Sequence, residues 1–337
     1  PDVNWLDEMT DSFASTINAN FNIQGGTRFV KYFASVGYAH EGSIFKGVND
    51  GKIDSRYYYN RFNFRTNVDF NVTPTTVVSF KLGGNVGIKN KPQPQDGDDG
   101  MWKYIFGSST AKYPMYYPSW VLEEVPDLDY PGVVEDRLIS EADQTTGNPY
   151  YQMMRGRFIQ LTDSKLFSDI ILNQKLDFIT KGLRARGSLA FDFFFENNIN
   201  RSKSYVVYEY TGDGEDGKPL FNTWGEEKKQ ANSNSYGAAK TRIFDVEAGL
   251  DYDRTFGKHL IAATLFFNYS QRSDDTQNLP NTHQGLLGRA TYAYDSRYIV
   301  EFSFGYQGTE QMPPQKRYGF FPAVSAGWVL SEESFIK

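Results

Sequence analysis

Three histidines are the first residues to weigh for chemistry, and they do not come together. His40, His259 and His283 stand far apart in the chain, and none belongs to a His-x-x-x-His string of the kind that sets two imidazoles on one helical face around zinc. Serines are present, but no motif couples one to a base and an orienting group, as an activated nucleophile requires. The chain is expected not to be an enzyme. Two acidic glycine strings, Asp96-Gly97-Asp98-Asp99-Gly100 and Asp213-Gly214-Glu215-Asp216-Gly217, carry the oxygen donors calcium takes. Both lack the fixed offsets and closing Glu of an EF-hand loop, and Gly beside Asp is first a turn signal. No metal site or cofactor is expected, with Asp96, Asp98 and Asp99 as weak calcium candidates. The segment from Met101 to Trp120 holds Trp102, Tyr104, Phe106, Tyr113, Tyr116, Tyr117 and Trp120. Flat rings with polar tips suit stacking on sugars or packing peptide side chains. The same rings would equally build a loop's own core or join an aromatic girdle at a membrane boundary. Trp102, Tyr116, Tyr117 and Trp120 are the candidate substrate contacts.

These residues must be positioned by strands, because period-two alternation runs through the chain and sets every second residue on one face. From Thr241 to Arg254, Phe244, Val246, Ala248, Leu250 and Tyr252 alternate with Asp245, Glu247, Asp251 and Asp253. From Arg297 onward, Tyr298, Val300, Phe302, Phe304 and Tyr306 oppose Glu301, Ser303, Gly305 and Gln307. Arg61, Asn63, Arg65, Asn67 and Asp69 likewise oppose Phe62, Phe64, Val68 and Phe70, with Thr66 the one polar intruder. Each run is about ten residues, enough for a tilted strand to cross the hydrocarbon layer. About eleven such runs are legible, with boundaries good to a few residues. They lie at roughly 14–24, 28–40, 58–72, 77–89, 165–179, 183–197, 240–254, 259–271, 283–294, 297–307 and 317–330. Tight turns at Gly25-Gly26-Thr27, Thr73-Pro74-Thr75, Thr180-Lys181-Gly182, Phe256-Gly257-Lys258 and Asp295-Ser296 alternate with longer connections, the pattern of an outer-membrane barrel.

Composition agrees. Aromatic residues make up 16% of the 337, with 23 Tyr and 27 Phe, yet mean hydropathy is that of a water-soluble chain. A wall with one face in lipid and one in water reconciles the two. No stretch approaches the roughly 18 apolar residues of a spanning helix. The chain has no cysteine and a net charge of −6 without a basic run, so disulfides are excluded and no nucleic-acid partner is expected. A soluble sandwich or propeller also has alternating strands, but its strands would not need a charge at nearly every second position. The expected fold is all-β: an antiparallel, up-and-down transmembrane β-barrel, partial because an odd strand count does not close a bacterial barrel. Residues 1–337 form that one domain, with long extracellular loops at about 90–164 and 201–239.

Several strings resemble the SusC/RagA family of TonB-dependent outer-membrane transporters. Asn4-Trp5-Leu6-Asp7-Glu8 is similar to a short helical segment entering that family's barrel, followed by Gly25-Gly26-Thr27, Tyr32-Phe33-Ala34-Ser35-Val36-Gly37-Tyr38 with Glu41-Gly42, and the Arg/Asn-alternating Tyr59 to Asp69. The most specific is Arg317-Tyr318-Gly319-Phe320-Phe321-Pro322-Ala323-Val324-Ser325-Ala326-Gly327-Trp328, then Ser331-Glu332-Glu333, which looks like the family's Arg-x-Gly-x-Phe-Pro-Ala strand. Gln307-Gly308-Thr309-Glu310 departs from the Asn-Gly-Ser turn usual before it. The resemblance covers almost the whole chain outside the two long loops. It implies a multi-pass protein of the bacterial outer membrane, a barrel of roughly 22 strands enclosing a plug, and import of an oligosaccharide or peptide. It also implies powering through the TonB complex and a SusD-like surface lipoprotein as partner, with outer-membrane lipid around the wall. The plug, the TonB-contacting segment toward the N-terminus and the remaining strands are expected to lie outside this chain. Arg61, Arg65, Asp245, Glu247, Asp251, Arg289 and Glu301, on the polar face, are expected to hydrogen-bond the plug and neighbouring strands. The alternative functions are a passive porin-like channel and a barrel-anchored surface receptor or adhesin.

Overall fold

The computed structural model describes all residues except 1, 50–53, 94–99, 119–120, 122–137, 142–146, 226–227, 234–238, 276–278, 334 and 337. Eleven long strands run consecutively through one antiparallel sheet: β1 (Thr16–Gly26), β2 (Val30–Glu41), β3 (Tyr58–Thr73), β4 (Thr76–Pro92), β5 (Arg157–Lys175), β6 (Leu183–Ser204), β7 (Lys240–Phe256), β8 (His259–Asp274), β9 (Asn281–Tyr294), β10 (Tyr298–Thr309) and β11 (Tyr318–Trp328). Each pairs only with its chain neighbours, save that a short strand, Lys228–Ser233, also pairs with the far end of β6. The sheet is thus an up-and-down arc, with β1 and β11 at its two ends. No helix among the described residues is long and apolar enough to cross a membrane.

The turns at 27–29, 74–75, 176–182, 257–258 and 295–297 lie on one rim and the segments 42–57, 93–156, 205–239, 275–280 and 310–317 on the other; the first set is the shorter, except that 176–182 exceeds 275–280 by one residue. Glycine is required at one of these turns: Gly182 has φ +89° and a Cβ there would lie 2.0 Å from the Asp253 carbonyl oxygen, a backbone shape and a closeness that other residues do not tolerate.

Register carries the sequence pattern across the sheet, since a one-residue slip in any pair would invert a face. Tyr38, Phe62 and Val86 lie side by side on β2, β3 and β4; Ile170, Leu189 and Val246 on β5, β6 and β7; Ala290, Phe302 and Val324 on β9, β10 and β11. The opposite face carries Asn63 beside Asn85, Ser188 beside Glu247 and Thr291 beside Glu301. The apolar face is left bare, with Phe21 65%, Val300 50% and Val324 74% exposed. Such a continuous apolar surface exceeds what a water-soluble chain leaves open. Lipid is the solvent that removes the cost, and strands of 11 to 22 residues are long enough to span it.

The close-packed core lies above the sheet rather than within it. Trp5 and Met9 of α1 (Trp5–Met9) pack against Met101 and Ile105 of α2 (Gly100–Gly107), with Tyr113, Met153, Phe158 and Tyr205 around them. All of these sit on the long-connection rim. The strands reach further into this rim than alternation alone indicates: β5 begins at Arg157 rather than near 165, and β6 continues to Ser204.

Candidate functional site

Every charged candidate of the polar face is found there by register. The Arg61 Nε donates to Asn63 Oδ1 at 2.7 Å, and Glu247 accepts from the Ser188 hydroxyl at 3.1 Å. Asp251 accepts from the Thr264 hydroxyl at 2.8 Å and lies 3.6 Å from the Arg186 guanidinium. Arg289 pairs with Glu301, whose carboxylate also accepts from Thr291 at 3.0 Å. Arg65 borders a depression of about 860 Å³ that also takes in Asn20, Asn22, Asn67, Lys81 and Asn85. Asp245 stands on β7 next to Ala190 of β6 and Ser270 of β8. The result is a wall of amides, hydroxyls and mixed charges suited to a hydrated passage or to a polar body held within it. Its wet ion pairs are individually worth roughly 0–1 kcal/mol.

On the long-connection rim, Trp102 is stacked on Phe106, ring centroids 5.6 Å apart, with Phe45 edge-on at 4.9 Å. Trp102 and Phe106 lie on the outer side of α2, 40% and 70% exposed, while Met101, Tyr104 and Ile105 on its other side are buried. Tyr116 and Tyr117 instead form a two-residue ladder with Leu138–Ile139. The Tyr117 hydroxyl accepts from the Tyr210 amide at 3.0 Å and its ring meets Phe221 edge-on; burial raises its phenol pKa. Tyr116 packs against Tyr150. Trp120, and the calcium candidates Asp96, Asp98 and Asp99, lie outside the described residues. The second acidic string is a hairpin turn in which Gly214 bonds to the Lys218 carbonyl, Asp216 accepts from the Lys218 amide and Asp213 accepts from Tyr210. Among the described residues no group of three or more His, Cys, Asp or Glu could hold a metal ion. His40 meets Asn60 and His259 meets Tyr292, on separate parts of the wall.

A cluster that spacing alone did not single out sits on the short-turn rim. Beyond β11 the chain turns back so that Glu333, 7% exposed, accepts from the Tyr298 hydroxyl at 2.7 Å and the Trp328 indole at 3.0 Å, with Arg297 at 3.3 Å. Arg297 also pairs with Asp295, which pairs with Lys258 of the adjacent turn. Tyr292, Tyr294, Tyr298 and Trp328 form part of an outward aromatic belt, where amphipathic rings suit a membrane boundary. The Ser331-Glu332-Glu333 string was visible in the sequence; its partners come from strands that only the register brings beside it.

The Tyr298 and Trp328 hydrogen bonds, with Arg297 beside them, hold the Glu333 carboxyl below the ordinary glutamate range. A pKa lowered by folding means stability that is present above the unfolded value, about 4.3, and is withdrawn as pH falls below it through the lowered folded value. Tryptophan fluorescence and hydrogen exchange of segment 328–333 are therefore expected to loosen only in acid. Glu333→Gln, which cannot ionise, is expected to remove that acid step; an unchanged step in the variant would assign it elsewhere.

Comparison with known proteins places these features in context. No protein-family model matches the chain. It is 22% identical over 336 residues to "TonB-dependent receptor P39" of Formosa agariphila, covering 94% of this chain and 28% of that protein. To "TonB-dependent receptor P26" of the same organism it is 22% identical over 364 residues, covering all of this chain and 32% of the other. A 57-residue stretch, 17% of this chain and 6% of the relative, is 33% identical to "TonB-dependent receptor SusC" of Bacteroides thetaiotaomicron. The chain thus spans about a third of the length of the curated relatives it matches end to end. Among solved structures, the RagAB peptide importer in its "closed-closed" state aligns over 100% of this chain and 36% of that one, with TM-score 0.61 at 12% identity. The likeness to RagAB is one of fold.

Proposed function

We propose that this chain belongs to the SusC/RagA family of TonB-dependent outer-membrane receptors, as its likeness to them supports, and that it supplies one arc of the wall of an energised importer of oligosaccharides or peptides. The observation that carries this reading is the two-faced sheet: a bare apolar face for lipid, and a polar concave wall whose amides and charges line the passage. Arg61, Arg65, Asp245, Glu247, Asp251, Arg289 and Glu301 serve as wall groups toward the lumen, where a plug domain from elsewhere in the protein is held. Trp102, on the exposed side of α2, is the best placed of the aromatic candidates to meet cargo or a SusD-like lipoprotein at the outer rim; Tyr116 and Tyr117 act by holding the loops that present it. TonB supplies the energy for release, and no chemical step is required of the wall.

The test is growth and uptake on a panel of glycans and peptides as sole nutrient, in cells carrying the full-length gene with and without an intact TonB system. Growth on one class that is lost when either the gene or TonB is disabled is the expected result, and it names the cargo. Flux that persists without TonB would overturn the importer reading in favour of a passive pore. Normal growth on every substrate, with loss only of attachment to a surface, would favour a barrel-anchored adhesin.

A further inference from the structure

The charges of the polar wall are not evenly mixed. On β6 and β7 the register sets Asp192, Glu196, Asp245, Glu247, Asp251 and Asp253 on the lumen face, with Arg184 and Arg186 the two cations among them, whereas on β3 and β4 the same face carries Arg61, Arg65, Lys81 and Lys89, with Asp69 the one carboxylate. Several cations elsewhere have a counter-charge at hand: Arg186 with Asp251, Arg272 with Asp274, Arg289 with Glu301, Arg297 with Glu333. Among the described residues Arg65 and Lys81 have no ion-pair partner, although Lys81 stands opposite Asp169 in the register, and Arg61 bonds only to the neutral Asn63. Room is left beside Arg65, which faces Gly83 across the ladder, where a Cβ would meet nothing closer than 3.5 Å; over Gly87, opposite Arg61, the Asp163 carboxylate and the Tyr59 hydroxyl take up the space. The depression so formed is rimmed by the amides of Asn20, Asn22, Asn63, Asn67 and Asn85, with Asp169 of β5 the one carboxylate beside Arg61, Arg65 and Lys81.

We propose that this β1–β4 arc is a binding track for carboxylate-bearing cargo, with the acidic stretch of β6–β7, separated from it by β5 alone, repelling the same cargo and so bounding the track on that side. Guanidinium and ammonium groups flanked by amide donors form charge-assisted hydrogen bonds with carboxylate oxygens, and a cleft with three cations to one carboxylate concentrates negative charge. The inference rests on the importer reading and narrows its cargo from any oligosaccharide or peptide to acidic ones, whether polyuronate or acidic peptide.

Binding to the purified full-length receptor at low salt tests it with two matched pairs of probes: hexagalacturonate against its methyl ester, and hexaglutamate against hexaglutamine. The expected result is at least a tenfold preference for the acid in one pair, which identifies the source of the carboxylates. That preference is lost in Arg65→Gln/Lys81→Gln and kept or increased in Asp192→Asn/Asp253→Asn. Unchanged heat-modifiable gel mobility of each variant establishes that the barrel is folded. Equal binding of acid and neutral partner, a preference that survives in the basic-arc variant, or no binding of either acid because protein covers the arc would each overturn the proposal. TonB-dependent uptake of a neutral cargo beside any of those results would leave the importer reading standing while this one fails.

Discussion

Leu189→Arg is expected to destabilise the protein by about 2–4 kcal/mol, the cost of an arginine near the middle of the lipid layer, whereas Ser188→Arg, one residue earlier, is expected to leave it folded. Leu189 is 46% exposed and lies between Ile170 and Val246 on neighbouring strands, central in the outward run of β6. A guanidinium there has neither water nor a counter-charge. Ser188 projects to the other face, where its hydroxyl already bonds to Glu247, so an arginine gains a carboxylate and stays wet. Thermal unfolding of the full-length receptor in lipid, followed by heat-modifiable mobility, reads the difference. Equal losses for the two variants, or a greater loss at Ser188, would show that the faces are assigned the wrong way round.

Removing the ring of Trp5 is expected to have the largest effect outside the membrane. The side chain is 2% exposed, its centroid lies 5.8 Å from that of Tyr113, and its indole N–H donates to the Ser109 carbonyl at 3.0 Å. Truncating a buried tryptophan to alanine costs about 3–5 kcal/mol, and here the loss falls on a small core built mostly of two short helices and loop segments, which meets the sheet only at its edge through Phe158 of β5. Trp5→Ala should release α1 from α2 and open segment 100–118 to protease added outside intact cells, while the barrel keeps its mobility on gels. Trp5→Phe should fall between, keeping most of the packing but leaving the Ser109 carbonyl without its donor. Protease protection unchanged in Trp5→Ala would mean that α1 is not part of the external core.

The wall was legible in the sequence because lipid enforces alternation residue by residue: a strand between water and hydrocarbon has no freedom to break period two. The ends agree with expectation where that constraint holds, as at Tyr58, Leu183, Lys240 and His259. It fails above the membrane. Arg157 to Leu161 of β5 carries no clean alternation, and Phe158 and Ile159, which point to opposite faces, are both buried because loop segments cover the sheet there. The same cover hid the external core, whose members Trp5, Met101, Tyr113, Met153 and Tyr205 come from four separate stretches with no shared period. The polar-face residues could be named from parity alone. Their partners could not, since Ser188 against Glu247 or Arg186 against Asp251 depends on the register between neighbouring strands.

The central claim is that even-numbered residues of β10 meet lipid and odd-numbered ones meet water, and cysteine scanning with spin labels tests it most directly. This chain contains no cysteine, so single substitutions along β10 from Val300 to Gly305 (Val300→Cys to Gly305→Cys) in the full-length receptor introduce no ambiguity from within it. Labels at 300, 302 and 304 are expected to collide chiefly with dissolved oxygen, which partitions into lipid, and those at 301, 303 and 305 chiefly with a water-soluble nickel chelate. An alternation of opposite phase, or no alternation, would contradict the account.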